Sequence, residues 1–219
     1  MIEYHYMGGI MTQDKIKLRE LKEDDLPEIK GLLYETWIEP DFGDNEKVAD
    51  KMSMIFLHEL LIRHTYSKVA VYEERVIGVI LGRSDNAYKL KKNLKYLFKT
   101  VFHASTLFLT HEGRKAIKEG SKEGEADKQL YNKVKDHTNG ELVLFAMDKK
   151  MKGMGIGKKL LNDFYNYMKK ENVDTFYLFT DSKCDYSFYD YNGFEKKDEK
   201  EVVFNNQRER YFVYTKNIE

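Results

Sequence analysis

The chain has 219 residues, enough for one domain with a large elaboration, and its 37 basic residues balance 37 acidic ones, which argues against a nucleic-acid binder. The single cysteine, Cys184, excludes an internal disulfide framework and a cysteine-rich zinc module. No apolar run approaches the roughly 18–20 residues that span a bilayer, and residues 1–15 lack the basic and apolar regions of a secretory signal. The expectation is a cytoplasmic protein with neither nucleic acid nor membrane as partner. Met11 offers an alternative start, which would make residues 1–10 a tail.

In chain order, residues 1–14 read as a tail and Ile16-Lys17-Leu18-Arg19 alternates as a short strand. Asp24-Asp25 can cap a helix whose apolar positions are Leu26, Ile29, Leu32, Leu33 and Trp37. Residues 45–64 form a second helix with Val48, Met52, Ile55, Phe56 and Leu60 on one face. Val69–Tyr72 and Val76–Leu81 are strands joined by a hairpin turn at Glu73-Glu74-Arg75.

Residues 86–139 differ in character, with 12 basic and 6 acidic residues. Leu90, Leu94, Leu97, Phe98, Val101 and Phe102 recur at helical spacing, and a polar stretch with few apolar anchors runs from His111 to Asn139. Lys89, Lys91, Lys92, Lys95 and Lys99 accompany the apolar positions, and no acidic residue falls in 86–111. Such a basic amphipathic helix suits a membrane surface or a partner protein, but the expectation is that its apolar face packs on the domain.

Strand–helix alternation then resumes. Glu141–Met147 is an apolar strand, residues 148–157 form a glycine-rich loop, and Lys158–Glu171 is a helix with Leu160, Leu161, Phe164 and Met168 inward. Thr175–Thr180 is a strand, and Ser187–Asn192 is a short helix closed by Gly193. Residues 195–204 and 209–216 make a final hairpin around Asn205-Asn206. The helix between the strands at 141–147 and 175–180 implies a parallel crossover, so the sheet is mixed.

The segment Lys152-Gly153-Met154-Gly155-Ile156-Gly157-Lys158-Lys159 carries the chemistry. Its glycines allow a tight turn and a close ligand, and the free N–H groups of the next helix seat a phosphate. It is not a Walker A loop, because Lys152 stands at the first glycine position and Lys159 at the Ser/Thr position. Its G-x-G-x-G spacing also departs from the dinucleotide fingerprint.

With the later Phe188-Tyr189-Asp190-Tyr191-Asn192-Gly193-Phe194, this loop resembles the GCN5-related N-acetyltransferase (GNAT) superfamily. That family's acetyl-CoA loop reads Arg/Gln-x-x-Gly-x-Gly/Ala after its fourth strand, followed by a Φ-Tyr-x-x-x-Gly-Phe element. Here Lys152 replaces the Arg or Gln, Lys149 the frequent proline, and Ser182 a frequent asparagine. The resemblance covers about residues 141–194. It implies an α/β (α+β mixed) GNAT fold: a single domain over 1–219 with a central, mostly antiparallel sheet of about six or seven strands. A splayed parallel pair, flanking helices and a helical insertion at 86–139, between strands 3 and 4, complete the expectation.

The resemblance further implies an acetyl-CoA-dependent N-acetyltransferase acting on a primary amine through a ternary complex, with acetyl-CoA as co-substrate and no metal. Pantetheine contacts fall on Phe145, Ala146 and Met147. The pyrophosphate falls on Lys152, Gly153, Met154, Gly155, Ile156, Gly157 and Lys158, with Ser182 a further cofactor contact. Tyr189 is the implied general acid and Glu141 a candidate general base, with Asp181 a weaker one. The alternative reading of Glu141 is a solvated charge at a strand start. A non-catalytic CoA-binding sensor of the same fold, or a longer acyl donor, remain alternatives, as does a homodimer. His58-Glu59 has Ile62 where a zinc-binding helix needs a second histidine. Residues 88–137 lie where acceptors enter in the family and are expected to form a lid or wall of that site.

Overall fold

The alternating segment near residue 17 forms β1 (Lys17–Arg19), paired antiparallel with β2 (Tyr66–Tyr72). A hairpin leads to β3 (Arg75–Ser84), and its turn places Glu73 and Glu74 at φ 47° and 65°. Two successive left-handed residues match the right-handed twist of the flanking strands. In this computed structural model, which describes residues 4–6, 9–11, 15–151, 153–204 and 207–218, the sheet continues through β4 (Gly140–Met147), β5 (Thr175–Asp181), β6 (Glu195–Phe204) and β7 (Gln207–Asn217). The strand order is β1-β2-β3-β4-β5-β7-β6, and only β4 and β5 are parallel neighbours. Tyr4–Tyr6 and Gly9–Met11 pair separately as a short antiparallel ribbon. The expected turn at Asn205-Asn206 lies outside the described residues.

Helices cover both sheet faces. On one face lies α6 (Ile156–Lys170), whose Leu160, Leu161, Phe164 and Met168 pack on Ile80, Leu142, Phe176 and Leu178. The ring of Phe164 stands edge-on to Phe176, and a Cβ at Gly82 would lie 2.3 Å from it, so that strand position has no room for a side chain. On the other face, α1 (Leu26–Leu33) and α3 (Glu46–Arg63) cover β2, β3 and β4 through Ile29, Leu33, Leu57 and Leu61. Asn45 caps α3 by accepting the Val48 N–H at 3.2 Å.

Two expectations about the first helix need correction. Asp25 precedes α1 but its carboxylate does not cap that helix; it accepts two 2.7 Å hydrogen bonds from the Arg19 guanidinium and one from the Lys22 N–H. A bidentate ion pair satisfies it better than one helix-end amide. The first helix does not run unbroken to Trp37. It widens into a π-turn at Tyr34–Ile38 before the one-turn α2 (Glu39–Phe42), with Pro40 inside that first turn. Within the polar stretch after His111, Thr110 caps a 21-residue helix, α5 (His111–Tyr131), by accepting the Gly113 N–H. Its few apolar residues suffice because Ala126 and Leu130 pack, with Val134, against Tyr177, Tyr211 and Val213 of β5 and β7.

Between β3 and α5 runs α4 (Leu90–Phe108), packed along α3. Its buried residues are Tyr96 and Leu107, not the predicted apolar face. Leu90, Leu94, Leu97, Phe98, Val101 and Phe102 all face outward. Polar anchoring sets this rotation. Asn93 Nδ2 donates to the carbonyls of Ile62 and His64 at 3.1 and 2.8 Å, and the Tyr96 hydroxyl donates to Glu23 at 2.8 Å. Among the described residues no helix is long and apolar enough to cross a membrane.

Under α4 lies His58, buried against the rings of Tyr96 and His103, with neither ring nitrogen hydrogen-bonded among the described residues. Burial, aided by His103 and Lys99, pushes its pKa down to about 4. Because the unfolded imidazole titrates near 6.5, this group's contribution to stability is full above that pH and is lost as pH falls toward 4. One such proton is worth at most about 1.4 kcal/mol per pH unit in that window. His58→Leu should therefore flatten the acid limb of denaturant stability between pH 6.5 and 4 relative to the native chain, with His64 and His103 titrating equally in both.

Candidate active site

The site begins with a pairing that stops early. β4 and β5 pair only at Gly140–Phe176 and Glu141–Tyr177, although both strands continue, to Met147 and Asp181. Asn139 closes the paired end. Its N–H donates to the Thr175 carbonyl at 2.9 Å, and its Oδ1 accepts from the Asp174 N–H at 3.1 Å. A register shift opposite Leu81 and Gly82 inserts Val143 as an extra residue in β4, and a bulge turns the strand away from its neighbour. Among the described residues no strand pairs with the β5-facing edge of β4 beyond Glu141, so the two strands part there and leave a cleft between them.

The glycine-rich loop crosses the open end of that cleft. Gly153 and Gly155 adopt φ of 86° and 70°, which a residue with a Cβ enters only at a cost. Gly155 stands immediately before α6, so the first amides of that helix meet the cleft without helical partners and with the positive end of the dipole. Met151, Met154 and Ile156 are buried beneath the loop and anchor it, while Gly153, Gly155 and Lys158 are exposed. A Cβ on Gly157 would stand 3.1 Å from the Phe145 ring and 3.8 Å from Phe188, so the glycine keeps a narrow slot between helix start and strand end. Lys152 lies outside the described residues.

Phe145 and Met147 are half-buried on the α6 side of β4, with Ala146 buried toward α1 and α3. The ring of Phe145 meets Phe188 at 5.3 Å, which ties the end of β4 to α7 (Ser187–Tyr191). Gly193, at φ 69°, ends α7, and Lys216 Nζ donates to the carbonyls of Asn192 and Gly193. This holds Tyr189 in a cage of Phe188, Phe194 and Tyr214, at ring distances of 5.7, 5.3 and 5.8 Å. Burial, with Cys184, Asp181 and Tyr214 adding to it, raises the Tyr189 phenol well above its usual pKa and keeps it protonated. By contrast Tyr191 is fully outward.

Opposite α6, the end of β5 gathers charge. Asp181 accepts the Trp37 indole N–H at 2.9 Å and the amides of Lys183 and Cys184 at 2.7 and 3.2 Å. The π-turn delivers Trp37 to this bond, and Phe56 braces its ring edge-on. Lys183 bridges Asp41 of α2 and Glu209 of β7 at 2.7 and 2.8 Å. Two carboxyls of α5, Glu123 and Asp127, face the same group. Burial first, then mutual repulsion and Asp181, pushes Glu123 up to about 8. Burial also pushes Asp127 up to about 7, against the pull of Arg63, and its Oδ1 is sealed without a hydrogen-bond partner among the described residues. Sequence reasoning missed both acids and Trp37. Their only signal was acidic residues at i and i+4 in a polar stretch with few apolar anchors, and an aromatic counted as core.

Glu141 is not a solvated charge at a strand start. It is 1% exposed, and its carboxylate meets Arg63 at 2.8 Å and Arg83 at 3.5 Å. Ser182 is exposed and serves the β5–β7 ladder: its N–H donates to the Arg210 carbonyl, and its hydroxyl accepts the Arg210 N–H. Of the predicted residues, Phe145, Gly157 and Tyr189 are brought together around Phe188, Glu141 lies where β4 and β5 still pair, and Ser182 lies on the far edge of β5. Among the described residues no group of three or more His, Cys, Asp or Glu side chains could hold a metal ion.

A splayed parallel pair over a glycine-led helix start defines a class of acyl-transfer proteins, as the sequence motifs implied. The chain belongs to the acetyltransferase (GNAT) family, whose model matches residues 27–194. No curated protein matches it. Several solved structures share the fold. An agmatine N-acetyltransferase variant in its apo form matches with a TM-score of 0.57 at 10% identity, covering 93% of this chain and 100% of that one. Protein PH1933 of Pyrococcus horikoshii OT3 matches at 0.56 and 18% identity, covering 92% and 98%. The PaiA N-acetyltransferase of Thermoplasma acidophilum, in complex with coenzyme A, matches at 0.50 and 16% identity, also covering 92% and 98%. The mixed sheet and its splayed pair are therefore those of the family. Enzymes of this family use acetyl-CoA, and the open helix start and strand edge fit its pyrophosphate and its amide-bearing arm.

Gly157→Val tests that fit. Its branched side chain would press on Phe145 and Phe188 at the helix start, so coenzyme A should bind at least tenfold more weakly by calorimetry.

Proposed function

We propose that this protein transfers an acetyl group from acetyl-CoA to a primary amine by direct attack within a ternary complex. The observation that carries this reading is the convergence, in one cleft, of the open β4 edge, the glycine-led start of α6 and the caged phenol of Tyr189. Acetyl-CoA supplies the acyl group as a thioester. The amides from Gly153 to Lys158 hold its pyrophosphate, and the free edge at Phe145, Ala146 and Met147 hydrogen-bonds the pantetheine arm. Tyr189 donates its proton to the sulfur that departs. Its high pKa keeps the proton in place until thiolate charge develops, and such transfer is worth about 10²–10⁴-fold.

The amine enters from the α5 side, where Asp41, Asp181 and Glu209 surround Lys183, and where Glu123 and Asp127 add negative charge only as they ionise near neutral pH. Excess carboxylate there favours a positively charged acceptor. An ammonium must lose a proton before it attacks, and Asp127 receives it. A sealed oxygen without a partner and a pKa near 7 support that role, because a base works best near the operating pH. Glu141, the base expected from the family pattern, is held between two guanidinium groups. Its part in this reading is to fix Arg63 and Arg83 behind the cleft.

Tyr189→Phe should lower kcat by about 10²–10⁴-fold in a thiol-release assay over a panel of diamines and monoamines, with coenzyme A affinity unchanged. Equal turnover would remove Tyr189 from the mechanism. Tight coenzyme A binding without transfer to any amine would instead make the chain a non-catalytic sensor of acyl-CoA.

Asp127 acts when deprotonated, so kcat/KM for the native chain should rise with pH through about 7. Asp127→Asn should abolish that limb, and Glu141→Gln should keep it but move its midpoint to lower pH, because the Glu141 charge helps to raise Asp127. The reverse pattern would return the base role to Glu141.

A further inference from the structure

The outward face of α4 is the largest feature that acetyl transfer does not use. At 100° per residue, Leu90, Leu94, Leu97, Phe98, Val101 and Phe108 fall on one continuous stripe, with Phe102 and Leu109 at its edge. Phe98, Phe102, Phe108 and Leu109 are 67%, 64%, 63% and 81% exposed. The three phenylalanines alone leave on the order of 400 Å² of apolar surface in water. With five further aliphatic side chains in the same stripe, the patch exceeds what an ordinary monomer exposes.

This exposure is built in rather than accidental. Asn93 and Tyr96 lock the opposite face of α4 to the domain through Ile62, His64 and Glu23, so the helix cannot roll its stripe inward without breaking those bonds. Lysines border one side of the stripe. Lys91 and Lys92 are exposed, and Lys95 and Lys99 reach back to Glu23. No aspartate or glutamate falls between residues 86 and 111.

Charge decides among occupants. A second copy laid stripe to stripe would bring together two segments that each carry five lysines and no acid, and the repulsion would oppose the contact. An anionic lipid surface accepts both features: acyl chains take the phenylalanines and leucines, and headgroup phosphates take the lysines. We propose that α4 is a docking helix that lays the protein on an anionic bilayer, parallel to the membrane plane and without spanning it. This departs from the expectation that the chain has no membrane partner, which rested on the stripe being buried against the domain.

Co-sedimentation of the full chain with unilamellar vesicles tests the proposal. Vesicles of phosphatidylglycerol and phosphatidylcholine should bind it at least tenfold more strongly than phosphatidylcholine alone, with the difference shrinking in 0.5 M salt. Phe98→Glu with Phe102→Glu should abolish binding while circular dichroism stays native, since both side chains already face water. Lys91→Glu with Lys92→Glu should weaken binding to anionic vesicles only. Equal binding to both vesicle types, no binding to either, or insensitivity to the phenylalanine pair would overturn it. So would a dimer in sedimentation velocity that the phenylalanine pair dissociates while vesicle binding is absent.

Discussion

Two residue pairs of parallel bonding hold β4 to β5, and the functional geometry follows from the pairing ending there. Had the ladder continued past Glu141 and Tyr177, the backbone groups of β4 would be consumed within the sheet, and no cleft would exist for an extended, amide-bearing ligand. The closed end is correspondingly well fastened. Asn139 spans both strands with backbone and side chain, Gly140 fits where a Cβ would press on the Arg83 carbonyl and Val173, and Glu141 is clamped by Arg63 and Arg83. A buried carboxylate is tolerable only with such partners, so the same contact that shuts the sheet ties α3 to β3 and β4.

The open end is organised by opposite means. Glycines in left-handed conformations bring bare backbone and the positive start of α6 to the cleft, while Met151, Met154 and Ile156 bury beneath them and hold the loop down. Across from it a cage of aromatic rings surrounds Tyr189. Burial raises the phenol's pKa and orients it together, so one packing arrangement sets both the proton's affinity and its position. The carboxyls brought by α5 behave likewise: crowding and burial hold Glu123 and Asp127 near neutrality, where ordinary carboxylic acids would be fully ionised.

The two helices between β3 and β4 have divided tasks. α5 turns inward and packs on β5 and β7 through Ala126 and Leu130. α4 turns outward, with Asn93 and Tyr96 bonded to the end of α3 and to Glu23 ahead of α1, and its apolar side chains in water. Amphipathicity dictates that a helix has two faces; it does not dictate which one meets the domain.

The sequence by itself determined the local elements and the family. Strand alternation, the glycine spacing at 153–157 and the Tyr189–Phe194 element are short-range patterns set by backbone sterics, so they are legible without a fold. The family's mixed sheet with its splayed parallel pair followed from them. What the sequence could not settle depended on distant partners. Asp25 chose Arg19 over the helix end, Glu141 became buried between arginines from α3 and β3, and Ser182 joined β7. Trp37 reached Asp181, 144 residues away, through a π-turn that no propensity announces. The orientation of α4 was decided the same way: Asn93 and Tyr96 found acceptors on the domain, and their bonds outweighed the stripe's tendency to bury. Periodicity records which residues share a face, but only the tertiary structure supplies the partners that decide where that face points.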